Sequence, residues 1–213
     1  MTGVQTCALP ILLQQKLESS VKIGVIGLGT GTIAAYGRKG DALKFYDINQ
    51  EVVNIANRDF SYLSSAENRG ATTATVLGDA RLTLEREPAQ QFDVLAIDAF
   101  SSDSIPVHLI TNEAVGIYLR HMKPDGIIAF HVSNRFLDLK PVAQQIADKN
   151  KLHASWVRDV YDDGSTSSDW VLLSRNPDLL KRLEIAEASA EIVPKPEWRL
   201  WTDDFNNLLQ VLK

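Results

Sequence analysis

One stretch of the chain, residues 21–32, constrains the fold more than any other. It begins with a run of isoleucine and valine residues, which is typical of a strand that is covered on both faces. Gly27, Gly29 and Gly31 follow at alternate positions, where they allow a tight backbone turn and the close approach of a ligand. The stretch therefore predicts a buried strand, a glycine turn and the start of a helix.

An acidic residue follows the second predicted strand, residues 42–46. This residue, Asp47, lies 20 positions beyond Gly27, where nucleotide-binding α/β folds place the acid that binds ribose hydroxyls. A glycine turn alone is a weak signal, because an ordinary strand-to-helix turn carries the same residues. The turn and the acid together favour a nucleoside site.

Strands and helices alternate along the rest of the chain. Apolar runs bounded by glycine, proline and polar residues predict further strands at 73–77, 92–97, 127–132, 153–158 and 170–174. Helices are predicted at 49–58, 81–86, 111–121, 141–149 and 205–212, and a polar linker at 64–70. The alternation predicts an α/β fold with a Rossmann-like, doubly wound, mostly parallel seven-stranded sheet and an antiparallel end.

Composition and charge limit the classes of function to consider. Apolar and charged residues make up 45% and 23% of the 213 positions, as in an ordinary globular protein with one sizeable core. The formal charge of −5 argues against a general nucleic-acid binder and is compatible with a cationic substrate. No apolar run approaches the roughly 18 residues of a membrane-spanning helix, so we expect a cytoplasmic location for this part of the chain.

Four aspartates lie at or just after the ends of predicted strands: Asp47, Asp79, Asp98 and Asp103. Because α/β sheets bind ligands beyond the carboxyl ends of their strands, the four acids predict a cleft at this edge. Asp47 can accept hydrogen bonds from ribose hydroxyls, and Asp79 can take the amino group of adenine, cap the next helix, or do both. Asp98 can hold a cationic group or a reacting amine, or it can cap the following loop. Asp103 can contribute to the same cleft, or it can be a solvated loop acid.

Metal-ligand spacing is absent among the four histidines of the sequence, so we predict no metal site. These residues are His108, His121, His131 and His153. His131 follows the fifth predicted strand, and a role in lining the cleft and a structural role are both open for it.

Two acids near the C-terminus, Asp203 and Asp204, precede the last predicted helix. Thr202 can act as the N-cap of that helix, and the acids can complement its dipole. The alternative is that this segment folds back over the cleft, so that its acids face a bound cation.

Four motifs resemble those of the spermidine synthase-like proteins in both order and spacing. These proteins are a branch of the Rossmann-fold methyltransferase superfamily. The motifs are IGLGTGT at 26–32, FYDI at 45–48, LGDARL at 77–82 and IDAFSSDSIP at 97–106. Residues 131–138 and 201–207 also resemble the bacterial members that are sometimes fused to membrane segments. The resemblance extends from about residue 21 to the C-terminus and implies a sheet of the S-adenosylmethionine-dependent methyltransferase type.

The resemblance implies a co-substrate, decarboxylated S-adenosylmethionine or S-adenosylmethionine. By motif match, its methionine-derived part would face Gly27, Gly29 and Gly31, its ribose Asp47, and its adenine Asp79 and Ala80. The family's acid that binds ribose is usually glutamate, so the aspartate at this position is a small departure.

The resemblance also implies transfer of an aminopropyl group to a diamine such as putrescine, a step of polyamine biosynthesis. Asp98 and Asp103 match the two acids of the family's Asp-Ser-Ser/Thr-Asp-Pro motif, which bind the amine and help to deprotonate it. Asp203 is expected to contribute to the substrate site. The motif is stretched here over residues 98–106, which places the second acid further along the loop than in the family.

The N-terminal residues bear on how much of the protein the sequence represents. Residues 1–11 resemble the translation of a sequencing adapter, and Cys7 would then be artefactual. We expect a single domain over residues 12–213, with the family's N-terminal β-domain missing. A homodimer and a longer membrane-anchored protein are both open.

Two other functions remain open at this stage. One is an S-adenosylmethionine-dependent methyltransferase that acts on an unidentified small molecule. The other is a non-catalytic, nucleoside-sensing domain of a membrane protein.

Overall fold

The computed structural model describes residues 19–99, 106–159 and 168–213. The described strands are β1 Lys22–Ile26, β2 Ala42–Asp47, β3 Thr72–Leu77, β4 Phe92–Ile97, β5 Met122–His131, β6 His153–Asp159, β7 Ser168–Ser174 and β8 Ser189–Ala190. The described α-helices are α1 Gln50–Asp59, α2 Tyr62–Asn68, α3 Ala80–Arg86, α4 Asn112–Arg120, α5 Lys140–Lys149, α6 Pro177–Leu180 and α7 Leu183–Ala188. Short 3₁₀ helices cover Thr32–Tyr36, Val107–Leu109 and Leu208–Val211.

The strands of the described residues form one eight-stranded sheet in the order β3-β2-β1-β4-β5-β7-β6-β8. The strands from β3 across to β5 pair in parallel, whereas β7 runs antiparallel to both β5 and β6. The predicted doubly wound sheet with an antiparallel end is therefore confirmed. The count differs by one strand, because β8 has only two residues and leaves no periodic pattern in the sequence.

Apolar side chains cover both faces of the central strands. In β4 all six residues are buried, and its apolar side chains divide between two apolar cores. Leu95 and Ile97 pack in one core, whereas Val94 and Ala96 pack in the other. This division explains why β4 reads as a continuous apolar run, as expected for a parallel strand with helices on both sides.

Two buried carboxylates fix the start of β1. Asp41 accepts a hydrogen bond from the Val21 amide at 2.9 Å, and Asp93 accepts one from the Lys22 amide at 2.8 Å. Lys123 also contacts Asp93 at 2.7 Å, so the buried charge is paired. The two acids hold β1 in register, and thereby set where the glycine turn at its other end emerges.

The chain forms a helix where the sequence predicted a linker at 64–70. Leu63 and Ala66 of α2 are buried, three positions apart, while Ser64 between them is exposed. The serine-rich composition suggested a loop, but burial of one apolar face stabilises the helix.

The predicted C-terminal helix at 205–212 is wrong, because only the 3₁₀ helix Leu208–Val211 forms there. Asn207 caps this short helix by accepting a hydrogen bond from the Leu209 amide. Thr202 pairs with Phe205 across an isolated β-bridge and is not an N-cap. In the described ranges, no helix has the length and apolar character needed to cross a membrane.

His121 is a buried histidine that makes stability depend on pH. Its Nε2–H donates to the Leu84 carbonyl at 2.8 Å, and its Nδ1 accepts from the Gln90 amide at 3.3 Å. Burial lowers its pKa below the ordinary 6.5, so the unfolded chain takes up a proton before the folded protein does. We expect the free energy of unfolding to be highest above pH 6.5 and to fall as the pH drops below it. Urea unfolding should show a shallower loss in His121→Gln, and an unchanged pH dependence in that variant would contradict the assignment.

Candidate functional site

A cleft of about 340 Å³ opens at the carboxyl ends of β1, β2, β3 and β4. The sheet order reverses between β1 and β4, and open α/β sheets bind their ligands at such a reversal. The predicted site residues that line the cleft are Gly27, Gly29, Asp47, Asp79, Ala80 and Asp98. Gly31 and Asp203 are not among the lining residues, and Asp103 lies outside the described residues.

The glycine turn brings the end of β1 against the end of β4. Gly27 has φ +96°, and a Cβ atom there would lie 2.4 Å from the carbonyl oxygen of Asp98. Gly29 has φ +52° with open space around the Cβ position, so the ligand can approach its backbone closely. Gly31 has φ +82° and precedes the 3₁₀ helix, where its Cβ would meet Leu63 at 3.3 Å. Gly27 and Gly29 thus shape the cleft, whereas Gly31 ends the turn.

Asp47 ties the glycine turn to β2. One carboxylate oxygen accepts a hydrogen bond from the Leu28 amide at 2.9 Å, and the other accepts from the Asn49 amide at 2.9 Å. Each oxygen keeps a second lone pair, so the carboxylate can still accept hydrogen bonds from a diol. The acid predicted to bind ribose therefore also holds the turn in shape.

Asp79 both caps α3 and lines the cleft, so the two roles predicted for it are compatible. Its Oδ1 accepts from the Leu82 amide at 2.8 Å, which is the N-cap contact. Its Oδ2 lies 3.0 Å from Nε2 of His108, which also lines the cleft. Sequence reasoning missed His108 as a site residue, because nothing in the sequence links it to an acid 29 positions earlier.

Asp98 faces the cleft from the end of β4 and is held from behind by His131. The Asp98 Oδ1 and His131 Nδ1 atoms are 2.7 Å apart. Of the two roles left open for His131, the structure places it beside the cleft's central acid without making it a lining residue. The predicted alternative in which Asp98 caps the following loop concerns residues 100–105, which lie outside the described ranges.

Asp203 pairs with Arg81 and does not reach the cleft. The two side chains form a bidentate ion pair, with 2.6 Å between Arg81 Nη1 and Asp203 Oδ1. Thr111 donates a hydrogen bond to the same Asp203 oxygen at 2.8 Å. The hydrogen bonds from Arg81 lower the pKa of Asp203 below the ordinary 3.8. The hydrogen bond from Thr111 has a smaller effect in the same direction. This placement gives no support to the prediction that Asp203 binds substrate, since its charge is already neutralised.

We therefore expect Asp203→Asn to reduce stability without altering substrate affinity. The lost ion pair should cost about 1–2 kcal/mol in the free energy of unfolding at pH 7. Because the folded pKa of Asp203 is lowered, this difference from the wild type should shrink as the pH falls below about 4. Urea unfolding at both pH values measures the effect. A variant whose stability matches that of the wild type at both pH values would contradict the structural role of this ion pair.

Arg81 also shapes the wall of the cleft through the segment that carries His108. Its Nη1 donates to the His108 carbonyl at 2.9 Å, in addition to the Asp203 contact. One guanidinium thus links α3, the 3₁₀ helix Val107–Leu109 and the C-terminal segment. The role of Arg81 was not predicted, because its partners lie 27 and 122 positions away in the sequence.

Apolar side chains line the side of the cleft next to β2. Ile48 contributes to the wall while 73% of its surface is exposed, and Val52 of α1 also lines the cleft. A large apolar side chain left open beside Asp47 suits the flat face of an aromatic base. The cleft therefore combines an apolar wall with carboxylates at three strand ends.

The comparisons with known proteins agree with the motifs. No family model matches the chain. A polyamine aminopropyltransferase of Vibrio vulnificus is 29% identical over 120 residues, which cover 54% of this chain and 38% of that protein. The resemblance to the spermidine synthase-like proteins is confirmed. The match spans well under half the length of the curated relative.

Solved structures share the fold. Spermidine synthase from Thermotoga maritima matches with a TM-score of 0.59 at 17% identity, over 89% of this chain and 65% of that one. Human methyltransferase-like protein 13 in complex with SAH matches with a TM-score of 0.60 at 14% identity, over 85% and 86% of the two chains. At these identities the likeness concerns the fold, which is that of the S-adenosylmethionine-dependent methyltransferases.

Proposed function

We propose that this chain binds decarboxylated S-adenosylmethionine and transfers its aminopropyl group to a diamine such as putrescine. The observation that carries the proposal is the charge of the cleft. Among the described residues that line it, three are aspartates and none is lysine or arginine. Such a wall attracts a cationic aminopropyl tail and a dicationic amine, and it repels a carboxylate.

The nucleoside half of the proposal rests on the glycine turn and the acids beside it. Asp47 would accept hydrogen bonds from the ribose hydroxyls, and Asp79 would accept one from the amino group of adenine. Ile48 would cover one face of the base. The SAH bound by human methyltransferase-like protein 13, which shares the fold, supports an adenosyl ligand in this cleft.

Asp98 would carry the chemistry as a base. An ammonium group has no lone pair, so the attacking nitrogen must first give a proton to the carboxylate. The nitrogen lone pair then forms a bond to the aminopropyl carbon while the carbon–sulfur bond breaks. The sulfonium takes the bonding electrons and becomes the neutral thioether of methylthioadenosine. The proton on Asp98 returns to solvent, and the charges balance.

An S-adenosylmethionine-dependent methyltransferase is the second candidate. The human methyltransferase-like protein matches the fold of this chain as well as spermidine synthase does, and this match supports methyl transfer as a candidate function. Its cofactor carries a carboxylate at the position of the aminopropyl tail, and an acid-lined cleft binds that group poorly. The negative charge of the cleft wall therefore favours aminopropyl transfer over methyl transfer.

Incubation with each nucleoside and putrescine separates the two candidates. We expect spermidine and methylthioadenosine from the decarboxylated cofactor, detected by mass spectrometry. No methylated product and no S-adenosylhomocysteine should form from S-adenosylmethionine with the same amine. If the decarboxylated cofactor yields neither product, aminopropyl transfer by this chain is excluded.

A further inference from the structure

His131 and Asp98 occupy equivalent ends of neighbouring parallel strands. Ile97 of β4 pairs with Phe130 of β5. The residues that follow them, Asp98 and His131, therefore lie side by side. The resulting contact joins Asp98 Oδ1 and His131 Nδ1 at 2.7 Å, a short distance typical of a charge-assisted hydrogen bond. The sheet register, and not a flexible loop, sets this contact.

The partners of the two ring nitrogens of His131 decide which nitrogen carries the proton. Its Nε2 lies 2.8 Å from Ser133 Oγ, and that oxygen already accepts a hydrogen bond from the Asp169 amide at 2.7 Å. The Ser133 hydroxyl can therefore donate its own hydrogen to Nε2. A carboxylate only accepts, so Nδ1 must be the nitrogen that carries hydrogen toward Asp98. The chain of hydrogen bonds is complete with a neutral imidazole.

Stacking holds the imidazole plane in place. The ring lies on Trp170 with 4.6 Å between centroids and 8° between planes, and the tryptophan is buried. His131 faces Trp170 across the β5–β7 pairing, so two strands define the ring position. The ring can neither flip nor turn without breaking both hydrogen bonds.

The same contacts exclude a serine nucleophile at Ser133. The order Asp98, His131, Ser133 has the atom spacing of a hydrolase triad. Ser133, however, does not line the cleft, and its oxygen accepts a hydrogen bond from the Asp169 amide. His131 likewise has both ring nitrogens engaged and does not line the cleft, so it does not meet a substrate directly.

We propose that His131 is a positioning residue for Asp98. Its Nδ1–H holds Oδ1 of the carboxylate, so that Oδ2 is presented to the amine that Asp98 binds and deprotonates. Ser133 supports this role through its contact with Nε2, which holds the ring in its orientation, and Trp170 supports it by fixing the plane. The nature of the substrate rests on the proposed function; the orientation of Asp98 by His131 does not.

Two variants at position 131 test the role. His131→Phe keeps a ring against Trp170 but removes the hydrogen-bond donor. His131→Asn keeps an N–H group at the place of Nδ1. We expect His131→Phe to lower kcat about 10- to 100-fold, with little change in the Kd for methylthioadenosine, and His131→Asn to recover part of the loss. A full kcat in His131→Phe overturns the proposal. Equal losses in the two variants would also overturn it, because they would reflect packing alone.

A measurement independent of activity separates this inference from the proposed function. Nitrogen-15 NMR of the wild type reports which ring nitrogen of His131 is protonated. We expect hydrogen on Nδ1, and it should stay there in Ser133→Ala, because the Asp98 carboxylate still accepts from it. An Nδ1 that carries no hydrogen in the wild type would overturn the positioning role. If the expected tautomer is present and no spermidine forms, the proposed function fails while the Asp98–His131 arrangement stands.

Discussion

Replacing Gly27 with alanine is expected to abolish nucleoside binding and to destabilise the fold. The added Cβ would lie 2.4 Å from the carbonyl oxygen of Asp98 and 2.9 Å from its carbonyl carbon. Backbone atoms cannot move aside as a flexible side chain can, so β1 and β4 must separate at the cleft. The left-handed φ of +96° adds strain for any residue with a side chain. We expect a loss of about 2–5 kcal/mol in the free energy of unfolding.

Gly29→Ala provides the matched control. Its φ of +52° also lies in the left-handed region, but nothing lies within 4 Å of the Cβ position. In the ligand-free protein, Gly29→Ala should lower the free energy of unfolding by only about 1 kcal/mol, because it adds backbone strain without a steric clash. Urea unfolding of both variants, with calorimetric titration of methylthioadenosine, measures the difference. Equal stability of the two variants would contradict the close approach of the glycine turn to Asp98.

Asp98→Asn is expected to remove turnover while leaving the nucleoside bound. The amide is nearly isosteric with the carboxylate, but it carries no charge to bind a dication and is a very weak base. General-base catalysis contributes about 10²- to 10⁴-fold, so kcat should fall by that factor. The ribose and adenine contacts proposed for Asp47 and Asp79 are untouched, and the Kd for methylthioadenosine should stay within about twofold of the wild-type value.

An exposed acid far from the cleft controls for loss of charge alone. The side chain of Asp178 is 85% exposed in α6, so Asp178→Asn removes one negative charge without touching the site. Its rate of spermidine formation should match the wild type. If Asp98→Asn keeps the wild-type kcat for spermidine formation, Asp98 is not the base.

The arrangement of the cleft follows from local sequence patterns to a large extent. The glycine turn, Asp47 and the strand that delivers Asp98 each leave a signal within about ten residues, because apolar periodicity and turn chemistry are local properties. Parallel strand ends then converge by the geometry of the sheet. That is why acids far apart in the sequence could be placed at one edge.

Contacts made by tertiary packing could not be predicted in the same way. Arg81 meets Asp203 across 122 positions, and His108 meets Asp79 across 29. The acidic segment at Asp203 looked like a helix start that could face a cation, but its partner is a protein guanidinium. Local polarity does not distinguish a ligand cation from an arginine that the fold delivers.

The two roles left open for His131 were decided by sheet register. Its sequence context, the end of an apolar strand, fits a cleft residue and a structural residue equally well. Only the pairing of β5 with β4 on one side and β7 on the other brings Asp98 and Trp170 to the same ring. The result is closer to the structural role: a half-buried histidine, engaged at both ring nitrogens, that contacts the acid of the site without lining the cleft.

The most direct test of the account is the relative affinity for the two nucleosides. Calorimetric titration should show decarboxylated S-adenosylmethionine binding at least about tenfold more tightly than S-adenosylmethionine, or about 1.4 kcal/mol. The reason is the carboxylate, which the acid-lined cleft repels. Equal affinities, or tighter binding of S-adenosylmethionine, would contradict the account and favour a methyltransferase.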